Sequence, residues 1–442
     1  MKPFKNRLTL AFVFTLVAGS IPAAGASAEG AQAATAPANE KELFAAAEKR
    51  ENEIVAATQA AIERNRKSDA VIHVVDSTGK SIPQARVTVT QTAHEFLFGC
   101  NIYGFDQSGS EANDAAYKQR FADMFNYATV GFYWRWYEPQ RGKPNYAYTD
   151  KVVAWCAERG IRLKGHPLLW GNEAGIPPWS PGQPAPAIQR QRVSDIMNRY
   201  HGKIAFWEVV NEPSHLAEPR IDEPYRWARQ IDPAAYLIVN DYMVMADGAP
   251  GFHRLLTAAK ANGVPFNGIG IQAHEPHTMR FPLDRVQAVL DRYAILGKEL
   301  HITEFTPTSD GGTITGSHRS GVWDEAAQAD YAVKFYRVCF AHPSVRAITW
   351  WDLSDQNSWL PGGGMLRKDM TPKPVYEQLH RLIHQEWQTC LSGATDATGR
   401  FAFRGFRGAY RVEIEAGGAT ASQQFQLSRD SAHEIDVVAA SK

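Results

Sequence analysis

Between Phe96 and Trp387, short apolar runs alternate with amphipathic stretches, and this alternation restricts the fold more than any other feature of the chain. The runs are Phe96–Tyr103, Tyr127–Tyr133, Arg162–Leu169, Ile204–Asn211, Tyr236–Asp241, Gly268–Ala273, Leu300–Phe305 and Ala347–Leu353. Stretches such as Asp150–Arg159, Leu283–Leu296 and Glu325–Phe340 carry apolar residues at helical spacing between them. A strand covered on both faces by helices reads as a nearly continuous apolar run. Eight such units predict an α/β fold of the (β/α)8 TIM-barrel type, since a doubly wound sheet generally uses fewer.

The flanks have a different period. Asn39 and Glu42 form a capping-box pattern ahead of a charged helical run to Arg66, whose sparse apolar face is Leu43, Ile54 and Ile62. Val71–Val75 and Ala85–Thr90 alternate around the turn Asp76–Gly79. In the tail, Thr395–Phe403, Tyr410–Ile414, Phe425–Leu427 and Ile435–Val437 alternate likewise. A lone hairpin is marginal in water, so these two groups of strands are expected to share one buried face. The organisation this predicts is a signal peptide (1–28), a linker and N-terminal helix (29–68), the first part of a small β-sandwich (69–94), the barrel (95–389) inserted into it, and the second part of the sandwich (390–442). Two separate appendages packed on the barrel are the alternative.

Lys2, Lys5 and Arg7 precede the apolar stretch Leu8–Ala18 and the small-residue site Ala26-Ser27-Ala28, a leader cut after Ala28 in a secreted or periplasmic protein. That stretch is too short to span a bilayer, and no later one is long enough. Cleavage there removes three basic and no acidic residues from a chain with 47 of each, leaving a net charge of −3. So weak a field excludes a nucleic-acid surface and favours a neutral substrate. Cys100, Cys156, Cys339 and Cys390 lack metal-ligand spacing. Disulfides are permitted in an oxidising compartment, but spacing selects no pairing. Cys156 and Cys339 lie on helical segments and are expected to be buried.

Barrel active sites lie at the C-terminal ends of the strands. The runs end there in His166, Asn211-Glu212, Asn240-Asp241, Gln272 and His274, Glu304 and Asp352. Strands four and seven face each other across a barrel mouth, so Glu212 and Glu304 can reach one bond. Retaining glycoside hydrolysis needs such a pair, about 5–5.5 Å apart, one carboxyl protonating the leaving oxygen and the other attacking the anomeric carbon. Glu212 is the expected acid/base, its pKa raised by burial near Trp207 or Trp170 and by the other carboxylate. Glu304 is the expected ionised nucleophile, oriented by His274. Asn211 suits a sugar 2-hydroxyl, and His166, Gln272, Trp170, Trp351 and Trp359 are the expected remaining substrate contacts, the indoles acting as platforms for sugar C–H faces.

Taken together these motifs resemble family 10 glycoside hydrolases, the endo-β-1,4-xylanase family, over about Phe96 to Trp387. Trp207–Glu212 is similar to its acid/base motif Trp-Asp-Val-Val-Asn-Glu, and Ile302-Thr303-Glu304 to its nucleophile motif. Gly165–Trp170 and Gly270–His274 match its strand-three and strand-six patterns, which implies that His166 binds the −1 sugar. Trp351 and Trp359 occupy the places of two tryptophans that roof that subsite. The chain departs from the pattern after strand two, where Tyr133 stands in place of a lysine that holds the glycone. It departs again at Gly171-Asn172-Glu173, where the family has His-Ser-Gln, and at Thr306, where it has Asp. The flanking strands resemble a transthyretin-like or carboxypeptidase-regulatory-like module.

The resemblance implies a retaining endo-1,4-β-xylanase acting without cofactor or metal, as a monomer, on β-linked plant cell-wall polysaccharide or oligosaccharide. A clan-related endoglucanase or mannanase, or an exo-acting β-glycosidase on decorated substrates, uses the same Asn-Glu pair. A non-catalytic carbohydrate-binding barrel is the reading of another class. A metal-dependent hydrolase is suggested only by His274-Glu275-Pro276-His277, where proline prevents two helical ligands on one face.

Overall fold

The computed structural model describes residues 40–216, 221–317, 319, 321–429 and 433–439. The leader and Asn39 therefore lie outside the described residues. Eight parallel strands form the central sheet: β1 (Leu97–Asn101), β2 (Tyr127–Gly131), β3 (Arg162–His166), β4 (Phe206–Asn211), β5 (Tyr236–Asp241), β6 (Gly268–Ala273), β7 (Glu299–Phe305) and β8 (Val345–Trp350). Each pairs with its neighbours in sequence, β8 pairs with β1 through Ala347–Trp350 and Leu97–Cys100, and β3 pairs with β4, so the sheet closes. A further two-residue strand, Leu169–Trp170, pairs with the end of β4.

All eight strands are those expected from the apolar runs, shortened by a few residues at some ends and begun one residue earlier in β7 and two earlier in β8. Helices Tyr146–Glu158, Leu283–Ala294 and Glu325–Ala341 occupy three of the intervening stretches. They bury their apolar faces on the outside of the barrel, where Val152, Val289, Leu290, Phe335 and Cys339 are at most 1% exposed.

Inside the barrel, the floor is a layer of Leu97, Tyr127, Phe206, Ile238 and Ala347, with Tyr236 against it. Above that layer the interior turns polar: Lys164, Glu208, Asn240 and Thr303 are all buried. Side chains of a strand alternate between faces with period two, so Phe206 and Glu208 point inward together. A register shift between Glu208 and Asn211 then resets the alternation, and a second falls between Ile302 and Glu304. These bulges re-aim Asn211 and Glu304 into the mouth.

The flanking strands build two further sheets. Lys67–Val75 lies between Arg400–Phe406 and His433–Val438, and Arg86–His94 lies between Cys390–Ala394 and Gly408–Ala416, with Ala419–Leu427 outside the latter. Ile72, Val74, Val87 and Val89 from before the barrel share one apolar cluster with Tyr410, Val412, Ile414 and Val437 from after it.

The N-terminal helix Glu40–Arg66 packs on Glu325–Ala341. At its end Arg66 donates to the carbonyls of Phe340, His342 and Val345. Cys100, Cys156 and Cys339 are buried free thiols and Cys390 is an exposed one, so the structure forms none of the permitted disulfides. No described helix is long and apolar enough to cross a membrane.

Candidate active site

Glu212 follows the last residue of β4 with φ 52° and ψ 47°, in the left-handed region that non-glycine residues seldom adopt. The turn brings its carboxyl under two donors: Trp170 Nε1 to Oε2 at 3.0 Å and Gln272 Nε2 to Oε1 at 3.0 Å. Trp170, the expected sugar platform, also positions Glu212 through its indole N–H. Burial outweighs both hydrogen bonds and pushes Glu212 up to about 7.

Glu304, 5% exposed, lies across the mouth on β7. Asn240 joins the two sides, its Nδ2 donating to Asn211 Oδ1 at 2.9 Å and to Glu304 Oε1 at 3.3 Å. The Thr303 hydroxyl donates to the Asn240 oxygen and fixes the amide's orientation. Because the Asn211 oxygen is occupied, its NH₂ is the end left to meet a ligand. His274 Nε2 lies 3.6 Å from Glu304 Oε2 and 3.1 Å from Gln272 Oε1. Burial lowers His274 to about 3, so it touches Glu304 as a neutral ring.

Behind Glu304 lies a buried ion-pair relay. The Lys164 ammonium and His166 Nδ1 both bond the Glu208 carboxylate. Burial alone would raise Glu208, but these two partners hold it at about 2. At His166 burial outweighs the pull of Glu208 and lowers the imidazole below its usual value.

Glu304 differs from expectation. Burial, with the Glu208 and Glu212 carboxylates adding to it, pushes its pKa well up, against the pull of Lys164 and the Asn240 amide. Glu208 and Glu304 share one lysine, and that lysine is bonded to Glu208. Glu212 and Glu304 therefore titrate as a pair, in two macroscopic steps with a singly ionised form between them.

The tryptophans divide between the two sides of the centre. Trp351, 6% exposed, packs edge-on against His166 and Tyr103. Trp359, 52% exposed, lies 4.8 Å from His274 and 5.1 Å from His277. Asp352 holds the loop between them: it accepts from Trp359 N at 2.7 Å and from Asn101 Nδ2 at 2.9 Å.

The structure thus gathers Glu212, Glu304, His166, Trp170, Asn211, Gln272, His274, Trp351 and Trp359 at one mouth. Sequence reading missed Lys164 and Glu208 as site residues. The signal available was a charged pair inside two apolar runs, with Glu208 in the place of the family motif's Asp. His166, Glu208 and Glu304 have ligand atoms within 4.8 Å of one another, but a cation placed there would face the Lys164 ammonium at its own counter-ion.

The family model described as Glycosyl hydrolase family 10 matches residues 90–382. Among curated proteins, the chain is 29% identical over 370 residues to anti-sigma-I factor RsgI6 of Acetivibrio thermocellus, covering 81% of this chain and 46% of that protein. It is 27% identical over 349 residues to endo-1,4-beta-xylanase 2 of Arabidopsis thaliana, covering 75% and 31%. The chain thus spans less than half the length of these two relatives. Among solved structures, native xylanase 10B from Thermotoga maritima superposes with a TM-score of 0.56 at 25% identity, over 66% of this chain and 96% of that one. Xylanase 10B from Thermotoga petrophila in complex with xylobiose gives the same TM-score at 24% identity, over 66% and 95%, and carries the likeness of fold.

Proposed function

The chain belongs to glycosyl hydrolase family 10, and from that premise we propose that it is a secreted, retaining endo-1,4-β-xylanase. The observation that carries this reading is the convergence of Glu212 and Glu304 at one barrel mouth, linked by contacts that run from Glu212 through Gln272 and His274 to Glu304. Glu304 attacks the anomeric carbon while Glu212 passes its proton to the leaving oxygen. A covalent glycosyl-enzyme results. Glu212, now ionised, takes a proton from water, which attacks the same carbon and releases Glu304 with net retention.

Each neighbour supports one of these roles. A carboxyl raised to about 7 is a competent proton donor near neutrality. The Asn240 N–H favours the anionic form of Glu304. The Asn211 NH₂ is available to a sugar 2-hydroxyl. Presence of both carboxyls argues against a barrel that only binds. The xylobiose in the Thermotoga petrophila neighbour, and the xylanases among the curated relatives, support β-1,4-linked xylose oligomers as the ligand class. Export rests on the leader pattern of residues 1–28.

Tyr133, Gly171-Asn172-Glu173 and Thr306 alter the surroundings of the glycone, so a clan-related β-glycanase or an exo-acting enzyme is the second reading. Reducing-end product profiles on β-1,4-xylan, glucan and mannan decide between them. A ladder of short oligomers from xylan alone supports the first reading. Release of single sugars, or turnover of glucan or mannan in preference to xylan, overturns it.

A further inference from the structure

Tyr133 lies on the segment after β2, in the place of the lysine of the family pattern, and the relay behind the site ends on it. Lys164 is bonded to Glu208, Glu208 to His166 Nδ1, and His166 Nε2 lies 3.2 Å from the Tyr133 hydroxyl. The direction of each hydrogen bond follows from the one before it. A carboxylate only accepts, so His166 donates from Nδ1. The ring is 1% exposed, and the Glu208 charge is already matched by the Lys164 ammonium, so a second buried cation at His166 would be uncompensated and the neutral ring is the form this arrangement favours. Nε2 is then an acceptor, and the Tyr133 O–H must point at it.

The phenol oxygen is left with its lone pairs facing away from the relay. One accepts from the Tyr103 hydroxyl at 3.5 Å. The Tyr133 ring touches His166 and Trp170, with centroids 5.5 and 5.9 Å apart. Burial, with the Glu304 and Glu212 carboxylates adding to it, opposes ionisation of the phenol. Tyr133 is half-buried.

Resting on the glycosidase reading above, we infer that Tyr133 is a substrate-contacting residue of the glycone site, whose phenol oxygen accepts a hydrogen bond from a ring hydroxyl of the sugar held over Glu304. A lysine in that place only donates. The tyrosine reverses the direction of the contact, so this site selects a glycone hydroxyl that can give its proton. It also replaces a mobile cation with a fixed ring, held on one side by His166 and on another by Tyr103. No bond to the sugar is made or broken by this residue; its effect is on recognition.

The test uses aryl β-xylobioside, β-cellobioside and β-mannobioside, with deoxy and deoxyfluoro versions at the 2- and 3-positions of the ring next to the aglycone. Wild type and Tyr133→Phe are compared by kcat/KM on each. A neutral hydrogen bond of ordinary strength predicts a loss of about 3–10-fold on the parent. At one ring position, the deoxy and deoxyfluoro substrates should show no further loss on going from wild type to variant.

A second reading uses the same substrates. At that position the ratio of wild type to variant should be close to one for both the deoxy and the deoxyfluoro substrate, because neither can donate, while the electron withdrawal of fluorine slows both enzymes alike. Equal kcat/KM for Tyr133→Phe and wild type on every parent, or an identical fold-loss on all analogues, overturns the inference. A wild type inert toward the whole panel overturns the glycosidase reading and takes the inference with it.

Discussion

Glu51 and Glu304 are buried to nearly the same extent, 4% and 5% exposed, yet their carboxyls are driven in opposite directions. Glu51, on the N-terminal helix, accepts from Arg280 Nε at 3.2 Å and Nη2 at 2.9 Å, and from Lys334 Nζ at 3.1 Å. Burial works against the charge there, but two cations in contact lower its pKa below the ordinary value. Glu304 has an amide at 3.3 Å and a neutral imidazole at 3.6 Å, and the nearby lysine is bonded to Glu208 instead. Where the fold only has to hold together, it compensates the charge it buries. At the barrel mouth it leaves two carboxyls short of cations, which is what lets them hold and pass a proton near neutral pH.

Breaking the uncompensated cluster gives the largest expected effects. Glu304→Ala should lower kcat on xylan by about 10⁴-fold or more, with the circular dichroism spectrum unchanged. Residual turnover within tenfold of wild type would remove Glu304 as nucleophile. Glu212→Ala should cost about 10²–10⁴-fold on xylan, yet spare the first step on aryl glycosides with good leaving groups. Azide should then rescue turnover and yield β-azides; no rescue at any azide concentration counts against Glu212 as acid/base.

Lys164→Met sharpens the contrast, because it removes the cation that neutralises Glu208. Glu208 then loses a partner that lowers it, and Glu304 loses an opposing cation. The wild-type pH profile of kcat/KM should be bell-shaped, its two limbs reporting the interacting Glu212–Glu304 pair rather than either residue. In Lys164→Met the acid limb should move to higher pH, since Glu304 holds its proton longer. An acid limb that stays in place contradicts this electrostatic account.

Glu51→Gln probes the compensated side and should affect stability alone. Breaking a buried pair by removing one partner costs about 3–5 kcal/mol, read as a lower denaturant midpoint, with the pH–activity profile unmoved. Glu51 is depressed in the folded state, so its contribution is present above the unfolded value of about 4.3 and disappears as pH falls through the lower folded value. The variant should lack that part of the acid destabilisation, and an unchanged pH dependence of stability would remove Glu51 from the account.

The barrel was legible because most of its strands lie in short, largely apolar runs, the pattern of a strand covered on both faces. Glu212 and Glu304 were legible because each closes such a run. Lys164 and Glu208 were not, since the pairing that gives them meaning spans 44 residues and two strands. The inward turn of Asn211 and Glu304 depends on register shifts that period-two alternation does not contain. Trp170 could be recognised as an aromatic at the mouth, but the direction of its N–H is set by Glu212, a residue on the following barrel strand. The direction of the shift at Glu304 was also hidden. It depends on how many carboxyls share one lysine, which only the assembled mouth displays.

Trapping tests the central claim most directly. An activated aryl 2-deoxy-2-fluoro-β-xylobioside should inactivate the enzyme with release of one aryl group per active site, and peptide mapping should place the sugar on Glu304. A label on any other residue, or turnover of unmodified substrate with inversion and no trapped intermediate, contradicts the account.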